Sequence, residues 1–143
     1  MTGSINPATV AWLRLARIYH RIDLRSADTM KCFGLSVSRF DVLNHVGTPE
    51  GRTQQELASA LLVTKGNVTQ LLDGLEQDGL IERRRDGRAK RIYLTEQGRD
   101  LRERAVAAQE RAIADEFAVL DAEEQRQLIS LLRKVEHHLP GRS

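Results

Sequence analysis

The feature that most constrains this chain is the order of signals from Thr53 to Thr95: two short capped helices, then two strands about an Asp-Gly turn. Thr53-Gln54-Gln55-Glu56 fits a capping box, in which the Thr hydroxyl accepts from the N–H three residues on and the Glu reaches back. Leu57, Ala58 and Leu61 give that helix one apolar side, and Leu62-Val63 leads to a second cap at Thr64. The caps leave room for about two turns of helix and a tight connection, the proportion of a helix-turn-helix. The spacing predicts a second helix from about Lys65 to Asp78, with Val68, Leu71, Leu72 and Leu75 on one face and Gly79 as a left-handed stop. Its other face carries Lys65, Asn67, Gln70 and Asp73, with Thr69 beside them. Short amide and hydroxyl side chains of this kind donate and accept at once, which suits base edges in a major groove. Gly66 offers close backbone approach where free helix N–H groups suit a phosphate. Taken by itself this helix is equally an amphipathic surface helix.

The segment after Gly79 tips the balance. Leu80-Ile81-Glu82-Arg83 and Arg91-Ile92-Tyr93-Leu94 have strand character, and Asp86-Gly87 marks a hairpin between them. The connecting segment is expected to be a basic turn from Arg84 to Lys90, and Glu82 to Arg91 carries a net charge of +4. A basic hairpin beside a reading helix can follow the DNA backbone or place Arg in a narrow minor groove. Charge on an edge hairpin also prevents aggregation, but that does not explain the two capped helices before it.

In order, Leu35-Ser36-Val37-Ser38-Arg39-Phe40-Asp41-Val42-Leu43, Gln55-Glu56-Leu57-Ala58, Val68-Thr69-Gln70-Leu71-Leu72-Asp73-Gly74-Leu75-Glu76, Gly79-Leu80-Ile81-Glu82-Arg83 and Asp86-Gly87-Arg88 before Tyr93-Leu94-Thr95-Glu96-Gln97-Gly98 resemble the MarR family of bacterial transcriptional regulators. The resemblance runs from about Ala8 to Leu139 and rests on the ordered set rather than on any one piece. It implies a mainly α fold of six helices with a two- to three-stranded antiparallel wing. This is a winged helix-turn-helix working as a homodimer on pseudo-palindromic double-stranded DNA. The candidate DNA-binding residues are Gln54, Thr64, Lys65, Gly66, Asn67, Thr69, Gln70, Arg85, Arg88 and Lys90. The wing is about three residues shorter than the family pattern. Its Arg therefore corresponds to Arg85 or to Arg88, with Arg88 keeping the better distance from Leu94-Thr95. Gly66, Asn67 and Gln70 stand where the family often has Ser, Thr and Arg, so the preferred DNA sequence does not follow.

Outside 33–95, residues 7–31 and 96–139 are expected to be helical and to pair two copies, within a single unit of 143 residues. Pro7 suits the first turn of an opening helix to about Met30. Val10, Leu15, Ile18 and Ile22 form its apolar stripe, beside a basic row of Arg14, Arg17, Arg21 and Arg25 that is usually a solvated face. Thr95 caps a helix expected to reach Leu120, and Asp121-Ala122-Glu123-Glu124 is a capping box for the last helix. With Phe117, a seam of Leu128, Leu131, Leu132, Val135 and Leu139 completes the candidate dimer interface. Charge agrees: the chain is +2 overall, Met1–Lys31 is +3, and Glu96–Ser143 is −2. The excess is thus placed on the wing and first helix, as in a DNA binder that is not a general polycation.

The resemblance implies relief of a repressor by a small aromatic or phenolic acid; Trp12, Arg17, Tyr19, His20 and Arg21 are the candidate ligand residues. Helically spaced aromatics are more often core, here the core of a dimer. Cys32 offers a rival redox sensor, but a reactive thiol needs a lowered pKa and exposure, and only Lys31 argues for the first. A single Cys excludes an internal disulfide. No leader or apolar run long enough to span a membrane is present, so a cytoplasmic location is expected. No cofactor loop, nucleophile elbow or metal spacing is present: His137 and His138 are adjacent, and His20 and His45 are isolated. An enzyme is not expected. The rival from another class is a winged-helix protein-interaction module, which should expose apolar rather than polar residues on the reading helix.

Overall fold

The computed structural model describes residues 3–61 and 65–141, with side chains for all of these but residues 65 and 66. Among them are six helices and three strands: α1 (Pro7–Lys31), α2 (Val37–His45), β1 (Arg52–Thr53), α3 (Gln54–Leu61), α4 (Lys65–Gln77), β2 (Ile81–Asp86), β3 (Ala89–Leu94), α5 (Glu96–Phe117) and α6 (Ala122–His138). The helix starts are chemically specified. Asn6 accepts from the Ala8 N–H at 2.9 Å, with Pro7 in the first turn. Ser36 accepts from Arg39 N–H at 3.1 Å, and Thr53 from Glu56 N–H at 3.1 Å. Asp121 and Glu124 form a reciprocal box at 2.8 and 3.0 Å. Each satisfies an N–H that the helix itself leaves unpaired. The expected cap at Thr64, with Leu62 and Val63, lies outside the described residues.

The sheet is antiparallel in the order β1-β3-β2. Arg52 pairs with Ile92 and Thr53 with Arg91, so the start of α3 is tied to the wing. Two expectations are corrected. The basic segment from Arg84 to Lys90 is strand nearly throughout: β2 and β3 pair up to Asp86↔Ala89, leaving only Gly87-Arg88 as the loop. Gly87 has φ +63°, which lets a two-residue loop close a right-twisted hairpin. Charge suppresses the strand signal there, although an exposed edge tolerates it. The helix begun at Thr95 ends at Phe117, three residues before Leu120. Ala118–Leu120 turns so that Asp121 can cap α6.

The chain divides into two compact units, Met1–Gln109 and Glu110–Ser143. The core of the first joins Met30 of α1, Leu43 of α2, Leu57 of α3, Leu72 and Leu75 of α4, and Ile92 of β3, all fully buried. Trimming one of these Leu side chains to Ala costs about 2–5 kcal/mol. Thr95 closes this unit: its hydroxyl donates to the Gly79 carbonyl at 2.6 Å and accepts from Gly98 N–H at 3.0 Å. Gly98 lies against the Leu80 carbonyl so closely that any side chain would collide with it. In the second unit α6 has no buried residue, and Ile129, Leu131, Val135 and Leu139 stand exposed.

Candidate nucleic-acid interface

Two elements supply the polar surface that the chain offers to a nucleic acid. The first is α4. Val68, Leu72 and Leu75 are fully buried, which fixes the helix's rotation, and Asn67, Thr69, Gln70 and Asp73 face outward. Gln54 at the start of α3 donates to the Thr69 hydroxyl at 2.8 Å, so the two helices of the pair are locked together by two candidate contact residues. Asn67 and Gln70 line a shallow cleft with Ser38 and Arg39 of α2. The backbone of Lys65 and Gly66 forms the first turn of α4; Thr64 falls outside the described residues.

The second element is the wing, whose six cations fall into two sets. Arg83 bonds Asp73 at 2.5 Å and lies 3.7 Å from Glu76. Arg84 pairs with Glu82 and stacks 4.7 Å from the Tyr93 ring centre. Arg91 pairs with Asp86 at 3.0 Å, and that carboxylate holds the guanidinium even further into its charged form. Arg85, Arg88 and Lys90 make no ion pair among the described residues, and all three are exposed. Arg85 sits directly opposite Lys90, and Arg88 is in the loop. Like charges opposite each other on a ladder repel. The neighbouring Arg84↔Arg91 pair is offset by Glu82 and Asp86, whereas Arg85↔Lys90 is offset by nothing among the described residues.

Pleating also fixes the direction of this charge. Side chains alternate between faces, so Arg85 and Lys90 share a face with the Arg83↔Ile92 pair. That face is turned to the helices: Ile92 is fully buried and Arg83 bonds Asp73 of α4. Arg85 and Lys90 therefore extend the side of the sheet on which α4 lies.

Two supports carry no signal in the sequence. Arg83 stands there only as one of a run of charges, yet its side chain is 16% exposed and splints the wing to α4. Arg39 bonds Asp78 at 2.6 Å and rests on Gly74, tying α2 to the end of α4. Both contacts join residues on different elements, where helical or strand spacing is silent.

The other candidates are dispersed. Trp12 and Tyr19 are 65% and 74% exposed, and with Arg17, His20 and Arg21 they line none of the clefts described for the chain. Leu15 and Ile18 are exposed, and Val10 and Ile22 are half-buried. In the second unit Phe117, Leu128 and Leu132 line a mostly apolar groove with Ile113 and Ile129; Leu131, Val135 and Leu139 are exposed. Cys32 is exposed, its thiol 3.8 Å from the Asp28 carbonyl. Asp41 is a half-buried acid whose carboxyl burial pushes up, with His45 opposing and Asp23 reinforcing the shift. Among the described residues no cluster of His, Cys, Asp and Glu could hold a metal ion. No described helix is long and apolar enough to cross a membrane.

Known proteins share this arrangement. A model of the MarR family matches residues 33–92. A Bacillus cereus protein described as an uncharacterized HTH-type transcriptional regulator is 38% identical over 138 residues, covering 91% of this chain and 89% of the relative. A solved MarR-family transcriptional regulator from Rhodococcus sp. superposes with a TM-score of 0.81 at 26% identity, covering 92% of this chain and 96% of that one. A Mycobacterium tuberculosis MarR family protein, solved in complex with DNA, matches with a TM-score of 0.75 at 25% identity, covering 92% and 98%.

Proposed function

Because this chain belongs to the MarR family of helix-turn-helix transcriptional regulators, we propose that it is a dimeric repressor of a pseudo-palindromic operator, released when a small aromatic or phenolic acid binds. Residues 33–95 form the reading head; 7–31 and 96–139 pair two copies; the protein works in the cytoplasm, where its DNA is. The observation that carries the DNA reading is the uncompensated Arg85↔Lys90 pair on the α4 side of the wing, with Arg88 at its tip. Such repulsion is relieved by a phosphate backbone, and the polar face of α4 then lies where base edges are read. The M. tuberculosis relative solved with DNA supports the same use of the fold. Two heads about 34 Å apart enter successive major grooves on one face of the duplex. A ligand that alters their spacing costs one half-site its contacts.

The acid is supported by the basic row on α1. Arg17 and Arg21, with Trp12, Tyr19 and His20, are exposed on α1 and are the groups that would meet a ligand held between the first helix and the DNA module. Selection of bound sequences from a random DNA pool tests the central reading. Recovery of a palindrome, with affinity falling steeply as salt rises, is expected. No enrichment would overturn it in favour of a protein-interaction module.

A further inference from the structure

We propose that Arg39 of α2 is a positioning residue for sequence recognition: seated against α4, it sets the final aim of Asn67 and Gln70. The inference deepens the DNA reading and rests on it. It concerns residues of the first unit alone.

Two features of α4 work against the helix that carries them. Gly74 lies inside it, where glycine is a poor helix former. Asp78 directly follows its last residue, and the Asp78 N–H donates to the Gly74 carbonyl at 3.0 Å. A carboxylate therefore stands at the negative end of the helix dipole. One guanidinium accounts for both. Arg39 donates through Nη1 to the Asp78 carboxylate at 2.6 Å and offsets the misplaced charge. Its Nη2 lies so close to Gly74 that a Cβ there would collide with it. Glycine thus leaves a notch that the guanidinium fills. Residues that break a local rule together, for one shared partner, mark a place where function outweighs helix stability.

The notch lies on the row that carries the reading residues. Asn67, Leu71, Gly74 and Asp78 follow at spacings of four, three and four, and Gln70 stands four before Gly74. At these spacings they share one side of α4. Arg39 lines a cleft with Asn67, Gln70 and Leu71. Burial of Val68, Leu72 and Leu75 decides which side of α4 meets the core, but apolar packing has no directional preference. A guanidinium seated between a glycine and a carboxylate does have one. Hydrogen bonds to base edges weaken steeply when misdirected, so this finer setting governs which bases are preferred.

The test uses the full chain and the site recovered from a random DNA pool. Affinity is measured for that site, for versions with single base pairs changed, and for unrelated DNA, at two salt concentrations. Arg39→Ala should lower discrimination against the changed sites by about tenfold or more. Affinity for unrelated DNA and the salt slope should stay as they are, because the phosphate contacts of the wing remain. Gly74→Ala is the sharper variant. Its methyl group displaces the guanidinium while alanine favours the helix, so discrimination should fall although the melting temperature does not. The double variant should lose no more than either single one, since both remove the same contact. A smaller salt slope in Arg39→Ala would make it a phosphate contact and overturn the proposal. Unchanged discrimination in either single variant, or additive losses in the double, would overturn it too. Failure of the unaltered chain to prefer any sequence would sink the DNA reading itself, and this proposal with it.

Discussion

Arg88 occupies the hairpin loop, where a side chain can reach into a groove, and Arg85 lies further down the strand opposite Lys90. Replacing Arg88 with Ala is expected to weaken binding of all DNA sequences alike and to reduce the salt slope by about 1. Asn67→Ala or Gln70→Ala should instead relax sequence preference, by about 1–3 kcal/mol at a good base contact. Binding curves on a matched and a scrambled operator, each at two salt concentrations, separate these outcomes. A salt-slope change in Asn67→Ala with preference intact would remove it from the base-reading set. The cations of the wing are legible in the sequence as charge, because composition alone marks a basic hairpin. Which of them are spent on internal partners is not. Arg84 is tied up by Glu82 two residues away and Arg91 by Asp86 five away, while Arg85 between them is not. That selection depends on which face of the ladder each side chain takes.

The wing and α4 share a buried core, and Arg83 adds a polar splint between them. Arg83 of β2 bonds Asp73 of α4 at 2.5 Å, with its own side chain largely covered and that of Asp73 mostly exposed. A double-mutant cycle with Arg83→Ala and Asp73→Ala should show a coupling of about 1 kcal/mol in stability. Arg83→Ala should also lower DNA affinity without touching DNA, since the wing tip loses its angle to α4. Coupling near zero by denaturant titration would show that the β1–β3 ladder holds the wing unaided. At this scale the helices are legible in the sequence. Caps at Thr53, Thr95 and Asp121 are local chemistry, and the apolar faces of α3 and α4 repeat at helical spacing; the caps at Asn6 and Ser36 emerge only in the structure. The strands look shorter in sequence than they are because their ends beside the turn are charged and carry no Val or Ile, although the backbone pairs them. The exit of α5 looks later than it is because alanines near its end favour helix until Asp121 caps the next one.

Each of the two units leaves apolar side chains open. Trp12, Ile18 and Tyr19 on α1 and Leu131, Val135 and Leu139 on α6 stand open in a single copy, and exposed patches of this kind mark association sites. Sedimentation is expected to give about twice the 16.1 kDa chain mass. Leu131→Glu combined with Val135→Glu, at sites 63% and 57% exposed in one copy, should yield a helical monomer with weaker operator binding. A variant that stays dimeric would place the association elsewhere. The two-residue strand β1 has a wider meaning for such an assembly. It ends where α3 begins, and it hydrogen-bonds to β3, whose other edge carries the wing. Arg83 fastens the same wing to α4, so β1 and Arg83 tie the wing to both helices of the pair. An effector of the proposed kind would then act on where the reading surface is presented rather than on which letters it recognises.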